Sequence, residues 1–310
     1  MLSKIQDATI AVTYKCNSRC RMCNIWQKKI YNSKEISPDS YNNLPQNILN
    51  INITGGEPFL RDDLGEVVKV VARRCPKAEI VISTNGFVTD LICLKMQKLL
   101  EISENIGVAV SLDGIGNAHD EIRGVKGYNK VLATITRLKA IGIKNLKIAF
   151  TLGNYNTNEL KSVYNLANFF GLEFSFAMVH SGENYFSKYN QIMPEKNILH
   201  VLTWLINREL ETNDYKKWGR AYFAHGTKEL LLFNRRLLPD YSGRLNIFID
   251  PYGFIFPNNV SDKAIGHLEE IDKGLGNAES DNTRNWMMCT ARAAIKKHWI
   301  RVGWWVLWNK

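Results

Sequence analysis

The sequence predicts an α/β fold built on a parallel β-sheet, followed by a smaller α+β part. Between residues 8 and 180, short β-rich runs alternate with longer stretches of helical periodicity, which is the pattern of βαβ units. The β-rich runs are nearly continuous apolar segments, as expected for strands that are covered on both faces. After residue 195 the alternation stops, and helical periodicity is followed by one hairpin pattern.

The first part contains six predicted β/α units. Helical periodicity covers residues 64–74, 91–103, 128–142 and 158–171. Six units suit either an open doubly wound sheet or an incomplete barrel, and in both architectures ligands bind at the carboxyl ends of the strands. The predicted strands are residues 8–14, 47–54, 78–84, 106–113, 145–152 and 172–180.

The second part is predicted to be helical over residues 195–238 and to form a hairpin over residues 245–259. Asp250-Pro251-Tyr252-Gly253 lies at the centre of this hairpin, and these residue types favour a tight turn. The chain then ends in a tryptophan-rich segment. We therefore expect a core domain over residues 1–190 and an extension over residues 191–310.

The composition is typical of a globular protein, since 45% of the 310 residues are hydrophobic and 23% are charged. The start of the chain has no uninterrupted apolar run of the kind found in signal peptides. No stretch approaches the roughly 20 apolar residues of a membrane-spanning helix. We expect a cytoplasmic protein, and in that compartment clustered cysteines indicate a metal or catalytic site rather than disulfides.

The formal net charge of +10 favours acidic partners in general. However, the lysines and arginines are spread along the chain, and no nucleic-acid recognition motif accompanies them. The charge therefore predicts a basic, solvated surface rather than a nucleic-acid interface.

Three of the six cysteines lie within eight residues near the start of the chain, at Cys16, Cys20 and Cys23. Thiolates are ligands for zinc or for iron–sulfur clusters. A structural zinc site needs four ligands, usually as two pairs, and the sequence has no second C-x2-C pair. Three thiolates on a four-iron cluster leave one iron open. The cluster's negative charge would be stabilised by Lys15, which precedes the first cysteine, and by Arg19 and Arg21, which lie between the cysteines.

Polar and glycine-rich segments also follow the other predicted strands. Residues 55–58 (GGEP) follow the second strand, residues 83–86 (STNG) end the third, and residues 111–114 (SLDG) end the fourth. Thr151 ends the fifth strand. Because these positions lie at one edge of a parallel sheet, they are expected to form one site with the cysteine loop.

The C-x3-C-x2-C spacing, with Tyr14 before its first cysteine, resembles the signature of the radical S-adenosylmethionine (SAM) superfamily. The GGEP, STNG and SLDG segments, followed by HDEIRG at residues 119–124, are similar to motifs of that family and occur in the same order. The resemblance covers the first 180 residues. It implies a partial (β/α)6 barrel of the TIM type, with a smaller C-terminal α+β extension.

The resemblance also implies a site. Cys16, Cys20 and Cys23 would bind three irons of a [4Fe–4S] cluster, and the amino and carboxylate groups of SAM would bind the fourth. Asn154 and Asn156 are weaker candidates for the adenine side. Cofactor contacts are expected from Gly55, Gly56, Glu57, Pro58, Ser83, Asn85, Ser111, Asp113 and Arg123, with Arg123 facing the SAM carboxylate.

The implied activity is reductive cleavage of SAM to a 5′-deoxyadenosyl radical that abstracts a hydrogen atom from a substrate. The electron would come from a one-electron reductant such as a flavodoxin- or ferredoxin-like protein, and the substrate could be a peptide, a sugar or a small metabolite. Two other classes stay open from the residues alone. One is a non-catalytic iron–sulfur electron-transfer protein, and the other is a zinc-stabilised basic RNA-binding module.

The C-terminal part resembles the SPASM or twitch extensions of this family, which bind auxiliary clusters through further cysteines. Their hairpin pattern D-P-x-G-x-x-x-P-C is present, but Asn258 stands in place of the cysteine, and Asp240 stands where relatives have another. We therefore expect a degenerate extension without an auxiliary cluster, acting as a lid and substrate platform. Asp240, Asn258 and Asn259 are either turn residues or polar substrate contacts.

The remaining cysteines and tryptophans have simpler interpretations. Cys75 and Cys93 are predicted to be core thiols. Cys289 is predicted to be a buried structural cysteine, and a radical-quenching or hydrogen-donating thiol is the alternative role. The tail, residues 299–310, has aromatic residues beside lysine and arginine, so it could dock on a membrane interface or a partner. Packing back against the barrel is the favoured interpretation.

Overall fold

One mixed sheet organises the protein, and its strand order is β6-β5-β4-β3-β2-β1-β7-β8-β9 across the described residues. The structure, a computed structural model, describes residues 5–28, 35–182, 185–276 and 286–310. Within them the strands are β1 (Asp7–Thr13), β2 (Asn50–Gly55), β3 (Glu79–Thr84), β4 (Ile106–Ser111), β5 (Leu146–Leu152), β6 (Glu173–Met178), β7 (Asn246–Ile249), β8 (Phe254–Phe256) and β9 (Gly266–His267).

Strands β1 to β6 are parallel, and each pairs with the next along the chain, which confirms the predicted α/β fold. The helices that connect them cover one face of the sheet, so every second residue of β2, β3, β5 and β6 is buried and the alternate residues are more exposed. Strands β1 and β4 are buried along nearly their whole length, as a continuous apolar sequence predicts. These helices are α1 (Leu64–Arg74), α2 (Thr89–Ile102), α3 (Asn117–Arg123), α4 (Tyr128–Ile141) and α5 (Glu159–Phe169).

The predicted strand ends differ from the observed ones at the rim that forms the site. The fourth strand was expected to reach residue 113 but ends at Ser111. Leu112 still donates its backbone N–H to the Ala149 carbonyl, after which the chain turns and α3, which the sequence pattern did not predict, begins at Asn117. The early end of β4 matters because it frees Asp113 to bond groups on β5 and α3.

The C-terminal hairpin extends the core sheet. Strand β7 pairs in parallel with β1, with Ala8 opposite Ile247 and Ile10 opposite Ile249, and β8 then pairs antiparallel with β7. The strand that leads into the cysteine loop is therefore sandwiched between β2 and β7. The division of the chain near residue 190 stays a prediction.

Four further helices complete the fold: α6 (Lys196–Leu210), α7 (Tyr215–Phe233), α8 (Met288–Lys297) and α9 (Trp299–Asn309). The fully buried Trp286 anchors α8 to α7, because its indole N–H donates to the Phe223 carbonyl at 2.8 Å. Gly226 makes room for that indole, since a Cβ at this position would lie 2.3 Å from the ring. Among the described residues, none of the helices combines the length and apolar content that crossing a lipid bilayer requires.

The hairpin turn is built around the buried Asp250, as its sequence predicted. One Asp250 carboxylate oxygen accepts the backbone N–H groups of Tyr252 at 3.0 Å and Phe254 at 2.9 Å, and Gly253 takes a φ of 90°. Burial raises the pKa of the Asp250 carboxyl to about 6, although these hydrogen bonds oppose the shift.

Asp250→Asn tests this buried charge, because asparagine can accept the same two hydrogen bonds. The folded state holds the Asp250 proton more tightly than the unfolded chain, so this group's contribution to stability falls as pH rises from about 4 to about 6. Relative to the native chain, the variant should gain up to about 3 kcal/mol of unfolding free energy over this window and then level off. Denaturant unfolding at a series of pH values measures this, and a pH-independent difference would contradict it.

Candidate functional site

The carboxyl ends of the parallel strands surround a cavity of about 190 Å³ next to the cysteine loop. The loop follows β1 and forms one wall, and residues at the ends of β2, β3, β4 and β5 form the others. Residues from the predicted site that line the cavity are Cys16, Cys20, Cys23, Gly55, Gly56, Ser83, Asn85, Ser111 and Arg123; Thr84 and Thr151 line it too.

Hydrogen bonds from the protein surround the three sulfur atoms. The Ser18 backbone N–H donates to Cys16 Sγ at 3.4 Å, and the Ile25 N–H donates to Cys23 Sγ at the same distance. The Ser18 hydroxyl lies 3.0 Å from Cys20 Sγ. The two backbone donors favour the thiolates of Cys16 and Cys23, the form of cysteine that binds metal, whereas the Ser18 hydroxyl donates its hydrogen to the Arg123 carbonyl.

In the metal-free chain, burial of the cysteines has the opposite effect, because it favours the neutral thiol over the thiolate. It raises the pKa of the Cys16 thiol to about 11 and that of Cys23 to about 12, with the neighbouring cysteines adding to both shifts. Metal binding would therefore release protons and depend on cationic groups nearby. Within the described residues, no three His, Cys, Asp or Glu side chains are grouped for a single metal ion. A cubane [4Fe–4S] cluster does not need three side chains around a single ion, because its cysteine ligands are spread over separate iron atoms.

Arg123 is the buried cation beside the sulfurs. Its Nη1 atom lies 3.7 Å from Cys20 Sγ, and its Nη2 atom pairs with Asp113 Oδ2 at 2.6 Å. Its backbone carbonyl accepts the Ser18 hydroxyl at 3.0 Å and the Arg19 N–H at 2.9 Å. The buried Nε atom of Arg123 has no partner among the described residues. This arrangement fits an anionic group in the cavity.

Asp113 lies behind the cavity wall rather than in it, where it orients Arg123. Its Oδ1 atom accepts the Thr151 N–H at 2.7 Å, and its own N–H donates to His119 Nδ1 at 3.2 Å. Burial raises the pKa of the Asp113 carboxyl, and the Arg123 charge opposes that shift. Asn156, a weaker candidate for the adenine side, donates its amide to the Asp113 and Thr151 carbonyls, so it holds this wall from behind.

The GGEP segment packs directly on the cysteine loop. The Gly56 N–H donates to the Thr13 carbonyl and the Glu57 N–H donates to the Lys15 carbonyl, both at 2.7 Å. A Cβ on Gly56 would lie 2.2 Å from the Lys15 carbonyl oxygen, which explains why glycine is required. A ligand amino group donates hydrogen bonds, so contacts from this segment to such a group would come from carbonyl oxygens.

The Glu57 side chain does not line the cavity, and neither does Pro58. Glu57 is fully buried and accepts the Thr84 hydroxyl at 2.8 Å, the Asn85 N–H at 2.7 Å and the Phe59 N–H at 3.3 Å. Burial raises the pKa of its carboxyl to about 7. Glu57 therefore joins the end of β2 to the end of β3 and positions Asn85 without touching the cavity.

The predicted polar residues on the strand ends have protein partners as well. The Ser83 hydroxyl donates to Asn52 Oδ1 at 2.9 Å, and the Asn85 amide donates to Asn17 Oδ1 at 2.6 Å. Asn154 is not part of the cavity, because its side chain bonds the Met193 backbone instead. The structure thus gathers most of the predicted contacts and places the two asparagines after β5 outside the cavity.

Tyr185 and Phe186 line the cavity, and the sequence analysis did not single them out. The Tyr185 hydroxyl donates to the Gly55 carbonyl at 2.9 Å, and the Tyr185 carbonyl lies 3.7 Å from Cys23 Sγ. An isolated β-bridge joins Phe186 to Cys23. The sequence signal that could have identified them is this pair of aromatic residues in the segment after β6, for which the sequence predicts neither a helix nor a strand.

A second, smaller cavity of about 40 Å³ lies on the other side of Tyr185. The Lys28 ammonium lies 4.8 Å from the centre of the Tyr14 ring in its wall. The Oδ1 atom of Asn259 is buried and has no partner among the described residues. The hairpin contributes the rest of the polar lining, so the lining residues are Tyr14, Lys28, Tyr185, Phe248, Asp250, Phe256, Asn259 and Ser261.

Asp240 and Asn258, which stand in place of cysteines, are linked by Ser242. The Ser242 hydroxyl donates to Asp240 Oδ1 at 2.7 Å and lies 3.3 Å from the Asn258 amide nitrogen. Asn258 Oδ1 accepts the Val260 and Ser261 N–H groups, each at 3.0 Å. Cys289 is half-buried on α8, and burial raises the pKa of its thiol to about 11. Asp240 and Asn258, the two residues that stand in place of cysteines, therefore stabilise turns of the backbone.

Comparison with known proteins gives a family match over the core of the sheet. A family model described as the radical SAM superfamily matches residues 10–167. Fe-coproporphyrin III synthase of Methanosarcina barkeri is 31% identical over 161 residues, covering 50% of this chain and 39% of that protein. A probable GTP 3′,8-cyclase of Metallosphaera sedula is 26% identical over 175 residues, covering 54% of each chain. The chain spans about half the length, or less, of these curated relatives.

The fold matches a solved structure over most of the chain. Streptococcus suis SuiB bound to S-adenosylmethionine aligns with a TM-score of 0.64, covering 86% of this chain and 64% of that one. The sequence identity is 14%, so this likeness concerns the fold. It includes the region after β6, beyond the part that the family model covers.

Thr84→Val tests whether the bonds of Glu57 hold the strand ends together. The substitution keeps the shape of this buried side chain, but it removes the hydroxyl that donates to Glu57 and accepts the Gly86 N–H. We expect a loss of about 1–3 kcal/mol in unfolding free energy, because two buried polar groups lose a partner. Denaturant unfolding measures the loss.

Thr136→Val is the matched control, since Thr136 is exposed on α4 and bonds only its own helix. This variant should change the unfolding free energy by less than about 0.5 kcal/mol. Equal effects of the two substitutions would show that the Glu57 bonds do not hold the strand ends.

Proposed function

We propose that this chain, which belongs to the radical SAM superfamily, uses Cys16, Cys20 and Cys23 to bind a [4Fe–4S] cluster at which SAM is cleaved reductively. The family implies these two cofactors. The observation that carries the proposal is the gathering of the three cysteines, the buried Arg123 and the polar ends of the strands around one cavity. When bound, the cluster and SAM supply one-electron cleavage of a carbon–sulfur bond, which leads to hydrogen-atom abstraction from a substrate.

The protein's own groups would bind and orient SAM. The Gly56 carbonyl oxygen and the second lone pair of the Gly55 carbonyl, which also accepts the Tyr185 hydroxyl, would accept hydrogen bonds from its amino group, and Arg123 is the cation for its carboxylate. Ser83, Asn85 and Ser111 line the cavity at successive strand ends, where hydroxyl and amide groups suit ribose. Glu57, Pro58 and Asp113 act indirectly, because they hold these groups from behind.

The extension would act as a lid and substrate platform. Its hairpin brings Asp250 and Asn259 to the cavity beyond Tyr185, next to the cysteine loop. The unpartnered, buried Asn259 oxygen supports a contact with a hydrogen-bond donor on the substrate. We propose no auxiliary cluster, since Asp240 and Asn258 are engaged with Ser242 and are poor substitutes for soft thiolates.

Members of this family need a one-electron reductant, and we propose an acidic flavodoxin- or ferredoxin-like donor. Arg19 and Arg21 are exposed on the outer side of the cysteine loop, and Lys15 is partly exposed. Such a basic edge attracts an acidic partner and guides it to the cluster. A cytoplasmic location would supply that donor.

Cys20→Ala should abolish both the cluster and the formation of 5′-deoxyadenosine, because a buried ligand beside Arg123 is lost. The native chain, reconstituted without oxygen, should bind about four irons and form 5′-deoxyadenosine with SAM and dithionite. Cys289→Ala is the matched control and should keep the iron content unchanged.

Each alternative gives a different result in this experiment. A colourless protein containing zinc would support a zinc-stabilised module. A cluster that never cleaves SAM under strong reduction would support an electron-transfer protein. Iron loss in Cys289→Ala would show that an auxiliary cluster exists and overturn that part of the proposal.

A further inference from the structure

Helix α9 exposes an unusual amount of apolar surface at the end of the chain. Trp304 is 60% exposed, Leu307 is 74% exposed and Trp308 is 81% exposed, and Trp299 and Ile300 are also exposed. Isolated exposed apolar residues are common on proteins, but a contiguous patch of large ones marks an interaction surface. The patch belongs to one helix of 11 residues.

One side of α9 is already packed against the rest of the protein. Val302 and Val306 are buried, and Trp305 packs on the rings of Tyr222 and His225, with centroid distances of 5.2 Å and 4.8 Å. Ile300, Trp304 and Leu307 are spaced as neighbours on one side of a helix. Packing against the barrel, the favoured expectation from the sequence, therefore accounts for one side of α9, and the other side is equally apolar.

The segment that carries the patch has no acidic residue. Residues 286–310 contain no aspartate or glutamate, and their basic residues are Arg292, Lys296, Lys297, Arg301 and Lys310. Arg301 is exposed and lies three and seven positions before Trp304 and Trp308, next to them on the helix surface. Tryptophan, leucine and isoleucine flanked by cations are the composition of helices that lie in the interface of an anionic membrane.

The neighbouring start of α7 continues this surface. Lys310 donates to Asn213 at 2.7 Å and lies 4.7 Å from the centre of the Trp218 ring, which brings the end of α9 next to the first turn of α7. Tyr215, in that turn, is 74% exposed. The apolar patch thus gains an aromatic residue from a second element.

We propose that the outer face of α9 docks on the surface of an anionic lipid bilayer, with the helix lying flat in the headgroup region. A helix of 11 residues is only about 16 Å long, too short to cross the hydrocarbon core. The cations of α9, Arg301 and Lys310, complement acidic headgroups, which is why lipid is the chosen occupant rather than a second copy of this chain with the same cations on that face. This inference is independent of the cluster and of SAM.

Vesicle sedimentation with the full-length chain tests the proposal. The protein should bind vesicles of equal parts phosphatidylglycerol and phosphatidylcholine, bind pure phosphatidylcholine much more weakly, and dissociate as salt is raised. Trp304→Ser and Trp308→Ser should each weaken binding about tenfold, because each removes a large apolar side chain from the interface. Arg301→Gln should weaken binding to the anionic vesicles about fivefold.

Phe169→Ser is the matched control, since Phe169 is 84% exposed on α5, away from this helix. It should bind vesicles as the native chain does, and circular dichroism should show all variants folded. Absence of binding to anionic vesicles would overturn the proposal, and so would equal weakening by Phe169→Ser. A dimer that Trp304→Ser dissociates, without vesicle binding, would show instead that the face pairs two copies.

Discussion

The site depends on how the protein accommodates one buried positive charge. An arginine removed from water must be paired and hydrogen-bonded, and Arg123 meets this demand with groups from the end of β4 and from the cysteine loop. Asp113 supplies the countercharge, Cys20 supplies a polarisable sulfur, and the Arg123 backbone binds the loop around Ser18. The orientation of the guanidinium and the position of the cysteine loop are therefore coupled.

A second constraint comes from the ends of the parallel strands. These ends converge on one edge, where backbone groups no longer have ladder partners. Glu57 satisfies two such N–H groups, those of Phe59 and Asn85, from inside the protein. Glu57 of the GGEP segment thus connects the ends of β2 and β3 from inside the protein. Gly55 and Gly56, which precede it, allow the backbone to approach the cysteine loop closely enough to form hydrogen bonds with it.

The continuous sheet explains why the C-terminal part can influence the cysteine loop. Strand β7 is bonded directly to β1, the strand from which the loop emerges, and the hairpin turn places Asp250 in the same cavity wall as Tyr14 and Lys28. An extension that shares a sheet with the site is held next to it by these backbone hydrogen bonds. Helix α9, in contrast, packs one side on the protein and leaves large apolar side chains exposed on the other.

The sequence by itself determined the α/β fold, the six parallel strands and the family, because these depend on local periodicity and on motifs in a short stretch of chain. It also identified the three cysteines and six of the other residues that line the cavity. Only the tertiary structure decided which of them face the cavity and which, like Glu57 and Asp113, support it from behind, because burial depends on neighbours distant in sequence. For the same reason Tyr185, the parallel pairing of β7 with β1 and the exposed side of α9 had no local signature strong enough to predict them.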